Sequence, residues 1–564
     1  MQGNSNLELL NHYVEKWAAE QPDRAAMIQF EDGKTVTYAQ FASQVDLIAL
    51  KLLDMGIKKG DRVSTMLLLS PEHILLMYAC FKVGAIIAPV DVRLQDHEVV
   101  RDLNKIEPAA FVFLGNTPVR DFRQVGLAVQ KDCPSVKHFI QFSLLDGDEL
   151  INGAVYMSDF LSPDALAALS LNTDLTARLQ ETYASIEPST PALIIYTTGT
   201  TGEPKPAVLT HDNILAQNEI LKRGLSMLSA EELILMVNLP PSHVGCVTEA
   251  LMTTFYIGGT DILLRIFDPA STLAAIEKHK ATVLAQIPTQ FRMEWMLPNY
   301  DDYDLSSLKF VVYAGSAVDL PFLERFSQMA PYFGTGFGMT ENAGFSLFSA
   351  PGISIEDMVG QVGRAFDDIA PVTIRKPMNP DGTAGKILED GEMGEICYEG
   401  RIVFPGYYNQ PQETAKIIST DGVLYTGDMG YFKEISGYRS VVLGGRRKFM
   451  IKQKGFNVFP DEVSAFVALH PKVAQAETVG MKHRLIDEGI MVFVKPKADV
   501  QLSSQEIMEY CQGIASYKRP QHVEILAPDY VFPMTRVNKV DALKLIAQAE
   551  TIVESLREEG LWDA

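Results

Sequence analysis

Cysteine and tryptophan are scarce in this chain: five and three in 564 residues. The cysteines are scattered at 80, 133, 246, 397 and 511, with no CxxC pair and an odd count. That excludes a disulfide framework and a zinc ribbon, and it points to a reducing compartment. The ten histidines show no metal-ligand spacing. Basic residues are also short, 49 Lys and Arg against 71 Asp and Glu, for a net charge of −22. A nucleic-acid partner is therefore not expected. Small anions stay open as ligands, because backbone amides and a few placed cations outweigh a diffuse field locally. No apolar run reaches the ~18 residues of a membrane span. The opening "MQGNSNLELLNHYVEKW" has no basic region before an apolar core, so it does not read as a secretory signal. The expected location is cytoplasmic, without stable membrane insertion. The chain carries no signal of its oligomeric state.

What is present is globular. Apolar residues make up 47% and charged residues 21%, which excludes disorder, and the length asks for several subdomains. "TYAQFASQVDLIALKLLDMG" predicts a helix, with Thr37 and Gln40 as a capping box and Phe41, Val45, Ile48, Ala49 and Leu52 on one stripe. "DRVSTMLL" reads as a strand, "PEHILLMYACFKVGA" as a helix and "AIIAPVD" as a buried strand. The alternation recurs in "DILLRIFDPASTLAAIEKHKATVLAQIPTQ", where Asp268-Pro269 starts a helix between two strands. This pattern predicts parallel α/β layers. In such sheets ligands sit beyond the carboxyl ends of strands, so Tyr313 to Val318, after "LKFVVY", is a candidate pocket wall.

From about residue 350 to 445 short strands take over: "APVTIR", "GEICYEG", "VLYTGDMGYF". They predict a small β-rich subdomain. "LGGRRKFMIKQKGFN" then reads as a charged linker, and a small α+β unit follows. The expected fold class is α/β. A large N-terminal region, residues 1–447, combines parallel α/β layers with the β subdomain, and a small α+β C-terminal domain covers 448–564.

The stretch "IIYTTGTTGEPKPAVLTH", Ile194 to His211, follows a buried strand with glycines, hydroxyls and a lysine. Glycine lets backbone N–H groups turn inward on a phosphate, threonine hydroxyls add rotatable donors, and Lys205 supplies a point charge. The sequence is not a Walker A loop, because Gly-Lys-Ser/Thr is absent. Alone, Gly-Thr-Thr-Gly suits a surface turn as well. Thr197, Thr198, Gly199, Thr200, Thr201, Gly202 and Lys205 together favour a phosphate loop between a strand and a helix beginning near Asp212.

This loop resembles the signature loop of the adenylate-forming superfamily, which includes acyl-CoA synthetases, luciferases and peptide-synthetase adenylation domains. "GFGMTENAG" (336–344) resembles its adenine-site motif, "YTGDMGYF" (425–432) its ribose-site motif, and "GRRKFMIKQKGFNVFPDEVS" its hinge. "YKRP" and "PMTRVNKV" resemble later motifs of a mobile C-terminal domain. Two departures stand out. Pro206 follows Lys205 where glycine is usual, and Asn538 replaces the glycine before the motif lysine.

The resemblance implies an acid–thiol ligase using ATP, Mg²⁺ and CoA. A carboxylate attacks the α-phosphorus of ATP, pyrophosphate leaves, and a thiolate then displaces AMP from the acyl adenylate. By resemblance Lys539 bridges carboxylate and α-phosphate, Thr340 touches the α-phosphate, and Glu341 helps hold Mg²⁺. Gly315, Ser316 and Ala317 with Gly336, Phe337, Gly338 and Met339 bound the adenine and the acid. Asp428 accepts from the ribose hydroxyls and Arg446 contacts ribose or phosphate. Lys448 is the hinge, and Lys452 and Gly455 serve the thioester-forming conformation. His243, in "PPSHVG", lies near the carboxylate.

Short-chain enzymes of this family carry tryptophan at the position of Gly338. Glycine there implies an unfloored pocket, which argues against acetate. Amino-acid-activating relatives need a carboxylate to pair the ammonium, and Pro241 to Cys246 has none. An aromatic, alicyclic or medium-chain acid is expected, with CoA as acceptor. A stand-alone ligase loading a carrier protein is the near alternative. A non-catalytic nucleotide sensor would be expected to lack Lys539, Glu341 or Asp428, and all three are present.

Overall fold

In a computed structural model, the chain is described at residues 8–145, 147–197, 204–316, 318, 320–453, 456–535 and 540–563. Among the described residues the strands form sheets of thirteen, eight and five. The eight-stranded sheet is parallel through Ile86–Pro89, Arg62–Met66, Ala110–Leu114, His138–Phe142 and Ala154–Tyr156. The thirteen-stranded sheet begins as parallel layers and ends as an antiparallel meander. Its parallel half runs Ala25–Gln29, Thr260–Leu263, Ile234–Val237, Val283–Gln286, Phe310–Tyr313 and Tyr332–Met339. Gly344–Phe348 turns back antiparallel on Tyr332–Met339, and the strands of 361–446 follow, except Gly406–Tyr407, which joins the eight-stranded sheet. The β-rich segment thus extends the parallel sheet instead of standing alone.

Local signals account for the elements. Gln40 N–H donates to Thr37 Oγ1 at 3.3 Å and Thr37 N–H to Gln40 Oε1 at 2.9 Å, so the capping box opens the helix Tyr38–Asp54. Asp268 caps Pro269–His279 through Ser271 N–H at 2.7 Å. The helix Pro71–Val83 is apolar nearly all round, and every residue but Glu72 is buried. Such a helix belongs inside a core. There Tyr78 meets Phe41 and Phe255, with ring centroids 4.9 to 5.8 Å apart. The C-terminal sheet has its own core, from Ile451, Val458, Val463, Ile490 and Val492. The described residues include no helix long and apolar enough to cross a membrane.

The phosphate-type loop departs from the expected strand-to-helix order. Lys205–Thr210 is a strand, antiparallel to Pro191–Thr197, and the helix His211–Gly224 begins only after it. The loop therefore joins two strands of a hairpin, with Thr197 paired to Lys205. Pro206 sits within the second strand opposite Tyr196, and its carbonyl accepts from Tyr408 N–H at 2.8 Å. Proline offers no N–H to a ladder but keeps its acceptor, which is the group used here.

Glu294 is wholly buried on the helix Pro288–Trp295, with one oxygen accepting from Gln286 Nε2 at 2.7 Å. Burial pushes its pKa up to about 8, and the Gln286 amide only partly opposes this. A carboxyl raised in the folded state binds its proton more tightly than the unfolded chain does. Its stabilising effect is full below about pH 4.5 and is lost as pH rises towards 8. Glu294→Gln is expected to raise the thermal midpoint by about 2–4 °C at pH 8.5 and by much less at pH 5. Equal shifts at both pH values in scanning calorimetry would contradict this.

Candidate functional site

Glu341 lies in the short 3-10 turn Thr340–Asn342, directly after the strand Tyr332–Met339. Asn342 Oδ1 accepts from Met339 N–H at 2.8 Å and Nδ2 donates to Ser346 Oγ at 3.0 Å, which fixes the turn. The Glu341 side chain is 7% exposed. Tyr407 Oη donates to its Oε1, and Phe404 N–H donates to its backbone carbonyl at 3.1 Å. Burial raises the Glu341 pKa. The Tyr407 hydroxyl pulls it back, as do the charges of Arg446 and Lys205. Lys205 stands 5.2 Å over the Tyr407 ring and pairs with Glu413 at 2.7 Å. That ammonium holds the Glu413 carboxyl down at about 2. Tyr407 is held in turn by the pairing of Gly406–Tyr407 with Ala207 and Val208.

Asp428 enters from the antiparallel half of the same sheet. It lies opposite Arg446 in the ladder between Leu424–Ile435 and Tyr438–Arg446, and Arg446 Nε donates to its Oδ1 at 2.8 Å. Its N–H donates to Thr426 Oγ1 at 3.1 Å, and Gly427, at φ +76°, donates to buried Glu395 at 2.8 Å. Glu395 also takes Arg447 at 2.7 Å. Glu341, Lys205, Asp428 and Arg446 thus belong to one electrostatic neighbourhood.

 In sequence these four residues stand far apart, and the two sheets bring them together.

The other motif residues lie on three further segments. Tyr313 ends its strand, Ala314 N–H donates to Gln286 O at 3.2 Å, and Gly315 turns the chain at φ +93° with Ser316 exposed beside it. Gly336, Phe337, Gly338 and Met339 pair with Gly344–Phe348 in a hairpin that carries a bulge at Phe337/Gly338. A Cβ on Gly338 would lie 1.9 Å from Gly344 O, so glycine is required there by backbone approach. His243 is exposed, and its Nδ1 accepts from Gly245 N–H at 3.0 Å where the π-helix Gly245–Met252 begins. Lys448 is exposed in the 3-10 turn Arg447–Phe449 next to Arg446, and Lys452 is exposed on the strand Ile451–Gln453. Thr198, Gly199, Thr200, Thr201, Gly202, Ala317, Gly455 and Lys539 lie outside the described residues. Sequence reading missed Tyr407 and Glu413. The segment "GYYNQPQET" holds both, but nothing local ties it to Glu341.

The descriptions of two family models match the chain: "AMP-binding enzyme" over residues 14–408 and "AMP-binding enzyme C-terminal domain" over 462–539. The chain belongs to the AMP-binding enzymes. It is an AMP-forming acid–thiol ligase of the adenylate-forming superfamily, whose ligases use ATP, Mg²⁺ and CoA. It is 29% identical over 551 residues to YngI of Bacillus subtilis (strain 168), covering 95% of this chain and 96% of that protein. It is 29% identical over 559 residues to the human mitochondrial medium-chain acyl-CoA ligase ACSF2, covering 97% and 88%. Its fold is similar to that of ATP-bound MatB from Rhodopseudomonas palustris, with TM-score 0.79, 23% identity and coverage of 96% and 99%.

A hard divalent cation fits Glu341. Its carboxylate is an oxygen donor whose ionised form is penalised by burial, and a cation would restore that form. The described residues contain no group of three or more His, Cys, Asp or Glu suited to a metal.

Two outcomes follow from this geometry. Tyr407→Phe removes a donor that lowers the Glu341 pKa, so the acid limb of the adenylation pH profile should move to higher pH. At neutral pH kcat/KM should fall roughly tenfold, the scale of a hydrogen bond to a charged group. An unmoved acid limb would separate Tyr407 from Glu341 function. Gly338→Ala should lower stability by about 1–3 kcal/mol and depress activity towards long and short acids alike. A shift to shorter acids at unchanged stability would instead make position 338 a pocket floor.

Proposed function

We propose that this protein is an acyl-CoA synthetase that activates a carboxylic acid of medium length, or one carrying a ring, and transfers it to CoA. The observation that carries the reading is the shared neighbourhood of Glu341, Lys205, Asp428 and Arg446, cations and carboxylates of the kind a nucleotide needs. The human relative's name, a medium-chain acyl-CoA ligase, supports the acid class. Five free, buried cysteines suit a reducing compartment such as the cytoplasm.

Adenylation brings an anion to a polyanion, so the site must neutralise charge and align the attack; proton transfer contributes little. Lys205 leaves Glu413 for the phosphates as ATP enters. Lys539 bridges the substrate carboxylate and the α-phosphate, and Thr340 donates to that phosphate. Asp428 accepts from the ribose hydroxyls, and Arg446 stays beside it as a counter-charge. Gly315, Ser316, Ala317 and Phe337 bound the adenine. Glu341 would hold Mg²⁺, which supplies charge neutralisation on the phosphates when bound. Rotation at Lys448 then withdraws Lys539 and brings Lys452 and Gly455 to the side from which the CoA thiol approaches.

The test is exchange of labelled pyrophosphate into ATP, with Mg²⁺ and a panel of acids, followed by thioester detection with CoA. No exchange with any acid would overturn the reading, and AMP release without thioester would move the acceptor to a carrier protein. Lys539→Ala should slow adenylation by roughly 10²–10³-fold while thioester formation from supplied acyl adenylate is less affected. Equal losses in both half-reactions would remove the assignment of Lys539 to the first.

A further inference from the structure

One buried carboxylate touches both the ribose-motif loop and the exit to the C-terminal domain. Glu395, on the strand Gly394–Tyr398, is 2% exposed. Its Oε1 accepts from Gly427 N–H at 2.8 Å, and its Oε2 accepts from Arg447 Nη1 at 2.7 Å. Gly427 directly precedes Asp428, and Arg447 stands between Arg446 and Lys448. Glu395 therefore holds the chain neighbours of an ion pair, since Arg446 Nε donates to Asp428 Oδ1 at 2.8 Å.

The loop departs from the regular ladder at this point. Glu395 pairs with Met429 and Cys397 with Tyr425, so Ile396 alone faces Thr426, Gly427 and Asp428 in a bulge. A bulge leaves residues without ladder partners and re-aims their side chains. Gly427 takes φ +76° there, and its N–H goes to Glu395 instead of to a strand. Thr426 Oγ1 donates to Ile396 O at 2.8 Å and closes the other side. Arg447 is half exposed and borders a cavity of about 450 Å³, so burial does not fix its side chain. Burial disfavours the Glu395 charge; the Arg447 guanidinium and then the Gly427 N–H act against that. Removing the guanidinium therefore makes Glu395 a poorer acceptor for Gly427.

We propose that Glu395 is a positioning residue for nucleotide binding: by holding Gly427 and Arg447 together it sets Asp428 and Arg446 against the ribose. The role rests on the reading of Asp428 as the acceptor of the ribose hydroxyls. Arg447 then acts on nucleotide affinity through Glu395 and not by contact. The loss of either partner weakens ribose recognition and leaves the chemistry at the α-phosphate, which uses other residues, little changed.

The experiment titrates AMP and 2′,3′-dideoxy-AMP calorimetrically into the full-length wild type, Arg447→Lys, Arg447→Gln, Glu395→Gln and the double variant Glu395→Gln/Arg447→Gln. The wild type should prefer AMP. Arg447→Gln and Glu395→Gln should each weaken AMP by about tenfold, the scale of a charge-assisted hydrogen bond, and dideoxy-AMP by less than about twofold. Arg447→Lys keeps the cation and should stay within about threefold of the wild type for AMP. The double variant should match the worse single variant within about twofold, because both substitutions break one chain of contacts. In pyrophosphate exchange the ATP KM should rise with the AMP Kd, while kcat changes by less than about threefold. Equal weakening of AMP and dideoxy-AMP would reduce Glu395 to a general structural role and overturn the proposal. So would unchanged AMP binding in Arg447→Gln, or a loss in the double variant equal to the product of the single losses, which would mean that Arg447 meets the nucleotide directly. Arg447→Gln, on a half-exposed side chain, decides the AMP comparison by itself if Glu395→Gln does not fold. Equal affinity of the wild type for AMP and dideoxy-AMP would instead overturn the ribose role of Asp428, and the proposal with it.

Discussion

Burial of the Glu341 carboxylate governs the site. Water would stabilise its charge, but the protein removes that water and supplies the Tyr407 hydroxyl, with Arg446 and Lys205 near enough to act on its titration. A charge held in this way is poised to take a cation or a proton. The surrounding structure follows from keeping it there. Phe404 N–H fixes its backbone, and Gly406–Tyr407 is tied to the second strand of the phosphate-type hairpin. Lys205, on that same strand, is anchored by Glu413. Movement of the hairpin would therefore reach Glu341 through Tyr407.

The architecture supports this by joining sheets of different character. The parallel half of the thirteen-stranded sheet delivers Tyr313 and the adenine-site motif at strand ends. The antiparallel half delivers Asp428 and Arg446 from neighbouring positions of one ladder. Because the two halves are continuous, nucleotide-motif residues from distant parts of the chain stand on one framework. The chain then leaves this framework directly after Arg446, through the exposed turn Arg447–Phe449, and enters a domain with a separate core. Arg447 is held to Glu395 at that exit, so the departure point is fixed.

Glycine carries two different kinds of information here. Gly315 serves a turn with positive φ, which is a local matter. Gly338 is needed because the Gly344 carbonyl lies where its side chain would begin. Its motif was legible, but the backbone crowding at that glycine was not. Neighbouring backbone, brought in by the hairpin, decides that position.

Periodicity and capping by themselves determined much of the local structure. Thr37 with Gln40 and Asp268 with Pro269 start helices because caps satisfy N–H groups within a few residues. The apolar run of Pro71–Val83 could only be a buried helix. The ordered motifs pointed to the family for the same reason, since each is a contiguous stretch. Tertiary structure decided what distance in the chain conceals. Ala25–Gln29 pairs with Thr260–Leu263, Tyr407 reaches Glu341, and Glu249 faces Gly344. Lys205–Thr210 became a strand because Pro191–Thr197 and Gly406–Tyr407 offered it ladders on both sides. Local propensity, with Pro206 in the segment, gave no reason to expect that. Such pairings are settled by the burial and hydrogen bonds that the completed fold offers, and no short window of residues contains them.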